Sequence, residues 1–314
     1  MLITLEKAIE KIRSGEVVAI PTETVYGLAA SFDNENAIQK IFKLKNRPQD
    51  NPLIVHISSV DQLSFVDSFP PQFHQLIETF WPGPLTLILP VKKGFIPSIV
   101  TGGLSTVGVR MPNHIQALSC IEKTGPVVAP SANISGRPSA TQPSHIEEDF
   151  GENFPILYGG SCQQGVESTI LYPTESGWKI VRLGVISPEN LKKVLGYSVL
   201  ASQEQQLLWK KNKVPVAPGQ KYRHYAPETK LILGIQYNGE PNVLGFAERN
   251  YPEAKQIIVL GSLSHPEEIA ARLYDQLRQL DQLGIKEIWV DCDFPQEGIL
   301  RTIHERLERA SHKE

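Results

Sequence analysis

Lys43–Ile57, KLKNRPQDNPLIVHI, commits this chain to an α/β layout within one short stretch. The helical spacing of Ala37, Ile38, Ile41 and Phe42 stops at Asn46, and an apolar strand, Leu53–Ile57, follows at once. Lys43, Lys45 and Arg47 crowd the junction. A cation in the last turn of a helix complements the dipole by roughly a few tenths of a kcal/mol. Arg47 lies past the helix beside φ-locked Pro48, where that argument does not reach. Two readings stand here: a solvated basic turn, or a fork-shaped clamp for phosphate or carboxylate.

The same alternation runs along the chain. Leu5, Ala8, Ile9 and Ile12 mark a helix that Gly15 ends, and Val17–Ile20 is a short buried strand. Pro21–Ala30, PTETVYGLAA, is either a strand-to-loop segment with satisfied hydroxyls or a polar rim at a strand's carboxyl end. Gly27 in it lets the backbone turn or approach a ligand. Asn34 is placed to cap the helix leading to the basic stretch. Pro71–Phe80 reads as a helix and Leu85–Leu89 as a strand in which Thr86 is structural. His56, alone in an apolar strand, has the character of a core histidine; what singles it out is the cationic loop before it. Thr101–Pro112 ends in a strand carrying Arg110, and Asn113–Lys123 is a helix closed by Gly125. Val127–Ala129 breaks at Pro130 into Ser131, Ala132 and Asn133, either a plain turn or a neutral cradle for oxyanions. Ser144–Glu147 has capping-box spacing and opens a helix. Ile156–Tyr158, Ser168–Tyr172 and Trp178–Val181 are strands, the last followed by Arg182, and Pro188 and Gly196 bracket a helix.

Arg47, Arg110 and Arg182 therefore all sit at strand or loop ends among hydroxyl-rich loops. They suggest one crevice for a ligand with several anionic groups, such as a nucleoside triphosphate plus a carboxylate. The chain contains no GxxxxGK[ST] and no GxGxxG, so a nucleotide site would be of another kind. No Ser–His–Asp order or paired-carboxylate signature is present. That argues for catalysis by clamping and charge stabilisation, without a covalent enzyme intermediate.

At 314 residues the chain is long enough for two domains. Composition shifts near residue 201. Residues 201–209 are Gln-rich, and Trp209–Pro227 carries Lys210, Lys211, Lys213, Lys221 and Arg223, three prolines and no acid. This is a proline-stiffened linker. Its APGQKYRHYAP portion holds tyrosines, a histidine and an arginine that a tether does not need, as a lid would. Beyond it, strands at Leu231–Leu233, Val243–Phe246, Ile257–Leu260 and Ile288–Val290 alternate with helices at Pro266–Leu283 and Ile299–Ala310, the pattern of a small parallel-sheet domain. The expected boundaries are 1–203, 204–229 and 230–314.

A net charge of −3 gives no global attraction to nucleic acid, so any such binding must be local. Three widely separated cysteines, Cys120, Cys162 and Cys292, fit neither a disulfide framework nor a zinc site and suggest a reducing compartment. No run approaches the ~20 apolar residues of a membrane span, and the N-terminal helix lacks a signal peptide's apolar core. A cytoplasmic protein is expected.

PTETVYGL, Lys45-Asn46-Arg47 with RPxxxPL, GVRMP, Ser131-Ala132-Asn133, ESTI and APGQKYRHYAP occur in that order. Together they resemble the two-domain Sua5 proteins of the Sua5/YciO/YrdC family, over essentially the whole chain. The resemblance implies a YrdC-like twisted mixed-sheet domain with a concave basic cavity, plus a small Rossmann-like C-terminal domain joined by an ordered linker. It implies a synthase that makes threonylcarbamoyl-AMP and pyrophosphate from L-threonine, bicarbonate or CO2, and ATP with Mg2+, the metal held through phosphates. A separate transferase would pass the product to an adenosine of tRNA. Thr24, His56, Arg110, Ser131 and Ser168 match the family's threonine-side positions. Arg47, Asn51, Thr106, Asn133, Thr141, Arg182 and Tyr225 match its nucleotide side, and Lys45 completes the K-x-R motif. Lys45, Arg47, Ser131 and Asn133 are the implied catalytic group. Two departures stand out: Asn46 where the family often has Gly, though Asn tolerates a left-handed turn, and Gln220 where Met is expected. Rival readings are an RNA-binding module and a threonine-independent carbamoyl-adenylate former.

Overall fold

The structure, a computed structural model, describes residues 1–201, 215, 217–218 and 224–311. Lys210, Lys211, Lys213, Gln220, Lys221 and Arg223 of the linker lie outside the described residues. Two sheets form among the described residues. The first comprises β1 (Leu2–Ile3), β2 (Val18–Ile20), β3 (Gly27–Ser31), β4 (Ile54–His56), β5 (Leu85–Pro90), β6 (Thr106–Arg110), β7 (Val127–Val128), β8 (Ile156–Leu157), β9 (Thr169–Thr174) and β10 (Gly177–Arg182). Their order is β1-β8-β2-β3-β7-β4-β6-β5-β9-β10. The sheet is mixed: β4–β6 and β5–β9 are parallel, while β5–β6 and β9–β10 are antiparallel.

Alternation along the strands divides the sheet into two environments. Leu53, Val55, Leu87, Val107, Val109 and Leu171 point into the main core. There they meet Ile38, Ile41 and Phe42 of α2 (Glu35–Lys45), Phe73 and Leu76 of α3 (Phe73–Phe80), and Leu191 of α4 (Pro188–Leu195). Their strand neighbours Ile54, Ile88 and Ile170 face the other way, against Ala217 of the linker. Gly108 keeps this second face open: a Cβ there would meet Ile54, Thr86 and Ile88 at 3.2–3.5 Å. Near the amino end of the sheet, Ala8 and Ile12 of α1 (Leu5–Arg13) pack with Val18, Ile20 and Ala29.

The second sheet holds β11 (Lys230–Gly234), β12 (Asn242–Phe246), β13 (Gln256–Gly261) and β14 (Glu287–Asp291) in the order β11-β14-β12-β13, all parallel. The helix Pro266–Gln282, here α5, buries the expected stripe Ile269, Leu273, Leu277 and Leu280. The last helix, α6 (Gly298–Ser311), adds Ile303 and Leu307. Val25, Val166 and Tyr225, all outside this unit, join the same cluster, so the two halves share apolar contact.

Three local expectations change. The helix at 143–150 is capped at Gln142 with Pro143 leading it, so Ser144 is inside the helix and the capping-box reading fails. Gly27 opens β3, and a Cβ there would lie 2.9 Å from Ala129 Cβ; close strand packing, not a ligand, excludes a side chain. The third helix begins at Phe73 and not Pro71. Cys120, Cys162 and Cys292 are buried and free. Among the described residues no helix is long and apolar enough to cross a membrane.

Candidate active site

Strand register lines up the functional side chains. Arg182 of β10 pairs with Ile170 of β9, Ile170 with Thr86 of β5, Thr86 with Arg110 of β6, and Arg110 with His56 of β4. One cross-sheet row therefore carries His56, Arg110 and Arg182. Strands sit about 4.8 Å apart, so Arg182 starts about three spacings from Arg110. The cavity in front of this row is lined by residues that include Thr24, Arg47, His56, Arg110, Ser131, Asn133, Arg137, Glu167, Ser168, Arg182, His224 and Tyr225.

Each arginine is locked in place. Arg110, 4% exposed, donates from Nε to Gly83 O (3.2 Å) and from Nη1 to Thr24 Oγ1 (2.8 Å), and its Nη2 lies 2.7 Å from Glu23 Oε1. Arg182 donates from Nη2 to Ser168 O (2.9 Å) and Ser168 Oγ (3.0 Å). Ser168 Oγ in turn shares a 2.7 Å hydrogen bond with Thr86 Oγ1, the structural task expected of Thr86. Arg47 donates from Nη2 to Pro52 O (2.9 Å) and from Nε to Asn51 O (3.3 Å). Such anchoring holds a guanidinium fork before a ligand arrives, so little rotamer entropy is lost on binding.

The basic stretch resolves cation by cation. Lys43 is exposed, Arg47 lines the cavity, and Lys45 is buried behind it. Lys45 Nζ donates to the carbonyls of Ser131 and Asn133, each at 2.5 Å, tying the end of α2 to the turn after β7. Burial first, and Arg47 second, hold its pKa well below the ordinary value. Asn46 is the hinge that permits this: it adopts φ 51°, ψ 42°, and the next residue turns inward. Asn133 donates from Nδ2 to the carbonyls of Ile134 and Arg137, while its buried Oδ1 has no partner among the described residues.

Burial, then Arg110, push the His56 pKa down to about 3. The ring is neutral, and its Nδ1 faces Ile54 O at 3.2 Å. A carbonyl only accepts, so Nδ1 carries the proton and Nε2 is an acceptor. His224, at the linker's end, is held near 3 by burial and by Arg47. Tyr225 beside it has φ 66° and stacks on Tyr274 of α5 at 5.3 Å.

Four of the expected residues do not line the cavity. Lys45 stands behind the turn. Asn51 is buried and supplies the carbonyl that holds Arg47. Thr106 is the first residue of β6, paired with Pro90, at the far end of the strand from Arg110. Thr141 N donates to His145 Nδ1 (3.2 Å), and its carbonyl accepts from Cys162 N (2.8 Å). Glu23, Arg137, Ser139 and Glu167 carry no sequence expectation of their own. Glu23 and Glu167 lie inside PTETVYGL and ESTI, and the signal was an acid amid hydroxyls in a loop otherwise suited to anions.

A family model described as telomere recombination, Sua5/YciO/YrdC, matches residues 10–184. The chain belongs to the Sua5/YciO/YrdC family. A second model, the threonylcarbamoyl-AMP synthase C-terminal domain of the Sua5 type, matches residues 186–312. The threonylcarbamoyl-AMP synthase of Pyrococcus abyssi is 41% identical, over 96% of this chain and 92% of that protein. The threonylcarbamoyl-AMP synthase of Bacillus subtilis is 38% identical, over 98% and 92%. The crystal structure of P. abyssi Sua5 complexed with L-threonine superposes with a TM-score of 0.88 at 37% identity, covering 99% of this chain and 97% of that one. The two-domain α/β architecture expected of a Sua5-type member is thus the one observed. Thr24, His56, Arg110, Ser131 and Ser168, the five residues expected on the threonine side, all line one cavity.

Proposed function

We propose that this chain is a threonylcarbamoyl-AMP synthase. Residues 1–203 would carry the reaction, Pro218, His224 and Tyr225 of the 204–229 linker would close over it, and 230–314 would dock behind it. The observation that carries the reading is the convergence of Arg47, Arg110 and Arg182 on one cavity with neutral His56 and the Ser131–Asn133 turn. Threonine's amine adds to CO2 to give a carbamate. The carbamate oxygen attacks the α-phosphorus of ATP, forming the mixed anhydride as the bond to pyrophosphate breaks. Both reactants are anions, and bringing them together requires fixed cations. In this reading Arg110, with Thr24 and Ser168, holds the threonine carboxylate, and Arg47 and Arg182 face the phosphates. Holding the pair in line is worth ~7–11 kcal/mol of barrier if the geometry is good. The bare Oδ1 of Asn133 would take a ligand N–H, since a buried acceptor left unpaired costs about 1–3 kcal/mol. His56 orients and does not act as base; a nitrogen with a pKa near 3 has little affinity for the amine's proton.

Mg2+ would enter with the triphosphate, consistent with its preference for phosphate and water oxygens. Among the described residues no group of three His, Cys, Asp or Glu is placed to hold a metal. The product is labile, so transfer to tRNA would fall to a separate enzyme, with cover from the linker keeping water out. The test is pyrophosphate release from ATP with and without L-threonine. Threonine-dependent release is expected. Threonine-independent release would favour a carbamoyl-adenylate former, and none at all would favour the RNA-binding alternative.

A further inference from the structure

Glu167 is out of place. Among the described residues lining the cavity it is the acid, it is 6% exposed, and the cavity is otherwise dressed for anions. An unpaired carboxylate there would repel a phosphate or seize one of the arginines meant for it. The fold answers from the other half of the molecule. Glu167 Oε2 accepts from Arg306 Nε of α6 (3.0 Å) and from the Tyr274 hydroxyl of α5 (2.8 Å), and Oε1 accepts from Ser139 Oγ (2.7 Å). Arg306 is fully buried. Its Nη2 donates to Leu183 O at 2.7 Å, the residue after Arg182, and its Nη1 meets Glu305, which Arg309 also binds. Its guanidinium carbon lies 4.8 Å from the Tyr225 ring centre. Thr302, one helical turn earlier, donates to Gly184 O at 2.8 Å. One helix of the C-terminal half thus grips the backbone on both sides of the Leu183–Gly184 bond, the linker tyrosine and the misplaced acid.

Burial works to raise the Glu167 carboxyl; Arg306, then Arg182, more than offset it, so it is lowered overall and ionised. Arg182 lines the same cavity, and its charge also acts on this carboxylate. We propose that Arg306 is a positioning residue of the reaction: it neutralises Glu167 from behind, so that Arg182 is left to the nucleotide phosphates. Docking of α6 then arms the cavity. Without Arg306, Glu167 turns to Arg182, and the phosphate side loses a cation while the threonine side, held by Arg110 and its own partner Glu23, is untouched. The proposal rests on the synthase reading for the identity of the ligand.

The experiment measures ATP affinity of the full-length chain by titration calorimetry, for wild type, R306A, E167Q and R306A/E167Q, with threonine affinity alongside. R306A is expected to weaken ATP at least tenfold and threonine less than threefold. The double variant is expected to return to within about threefold of wild type, because the acid that Arg306 restrains is gone. E167Q alone is expected to tighten ATP, opposite in sign to R306A. Unchanged ATP affinity in R306A, or a loss that E167Q does not restore, overturns the proposal; a role in packing alone gives the second pattern. Should R306A not fold, E167Q decides, and weaker or unchanged ATP binding overturns the idea. ATP binding with this pattern but no threonine-dependent pyrophosphate release would sink the synthase reading and leave the Arg306 role standing. No ATP binding by wild type would sink both.

Discussion

At the scale of single residues, the site is built from groups whose protonation burial has already decided. His56 shows this most directly. Unfolded, it would titrate near its ordinary 6.5; folded, it titrates near 3. Between those values the unfolded chain binds a proton that the folded chain does not. The stability His56 contributes is therefore complete above about pH 6.5 and lost as pH falls toward 3, at up to about 1.4 kcal/mol per pH unit for one group. His224, held near 3, works in the same sense. We expect chemical denaturation between pH 6.5 and 4 to show H56Q losing stability with a shallower slope than wild type, by up to one proton's worth. Equal slopes would mean the ring is not kept neutral. Which residues matter was partly legible. Arg47, Arg110 and Arg182 stood out because an arginine at a strand end has no local reason to be there. Glu167 did not, because its reason lies 139 residues away in Arg306.

At the scale of elements, the junction between α2 and β4 does what its sequence promised. The helix spans Glu35–Lys45, Asn34 Oδ1 accepts from Ala37 N at 3.0 Å, and Asn46 closes it in the left-handed region. That conformation sends Lys45 and Arg47 to the two sides of the Ser131–Asn133 turn, one behind and one in front. N46G keeps the left-handed turn open, and we expect a change in unfolding free energy within about 0.5 kcal/mol. N46V pays the Cβ–carbonyl clash that β-branching makes worse, about 1–2 kcal/mol or more. If urea midpoints put N46V level with N46G, the turn relaxes elsewhere and the hinge argument fails. Helix faces and apolar strands were readable because their periods are local. The order of the ten strands was not: β7 slots between β3 and β4, and β8 between β1 and β2, through pairings that no local pattern announces. The row His56–Arg110–Thr86–Ile170–Arg182 exists only through that order.

At the scale of the whole molecule, the two halves are fastened by buried charge as well as by apolar contact. Arg278 of α5, 1% exposed, donates from Nη2 to Pro138 O (2.7 Å) and Asp149 Oδ2 (2.9 Å), and from Nη1 to Glu148 Oε2 (3.0 Å) and Asp149 Oδ1 (3.0 Å). The Asp149 carboxylate side chain is fully buried and also takes Arg137 Nη1 at 2.6 Å. Arg137 lines the cavity, and Ala226 N donates to Gly136 O (2.8 Å), so the loop at 136–138 is held by the linker, the C-terminal half and its own helix together. An interface of this kind transmits unfolding. Breaking either half separates Asp149 from Arg278 and Glu167 from Arg306, and removing one member of a buried pair costs ~3–5 kcal/mol. The intact chain is therefore expected to melt in a single calorimetric transition although its described residues form two separate sheets. R278A should lower that melt and split it into two, with the N-terminal sheet and the C-terminal sheet unfolding separately. R278M, which fills the volume but carries no charge, should split it as well, because Asp149 still lacks its fork. A single unsplit transition in both variants would show that the apolar contact of Val25, Val166 and Tyr225 is enough to couple the halves, and that the ion network is incidental to it.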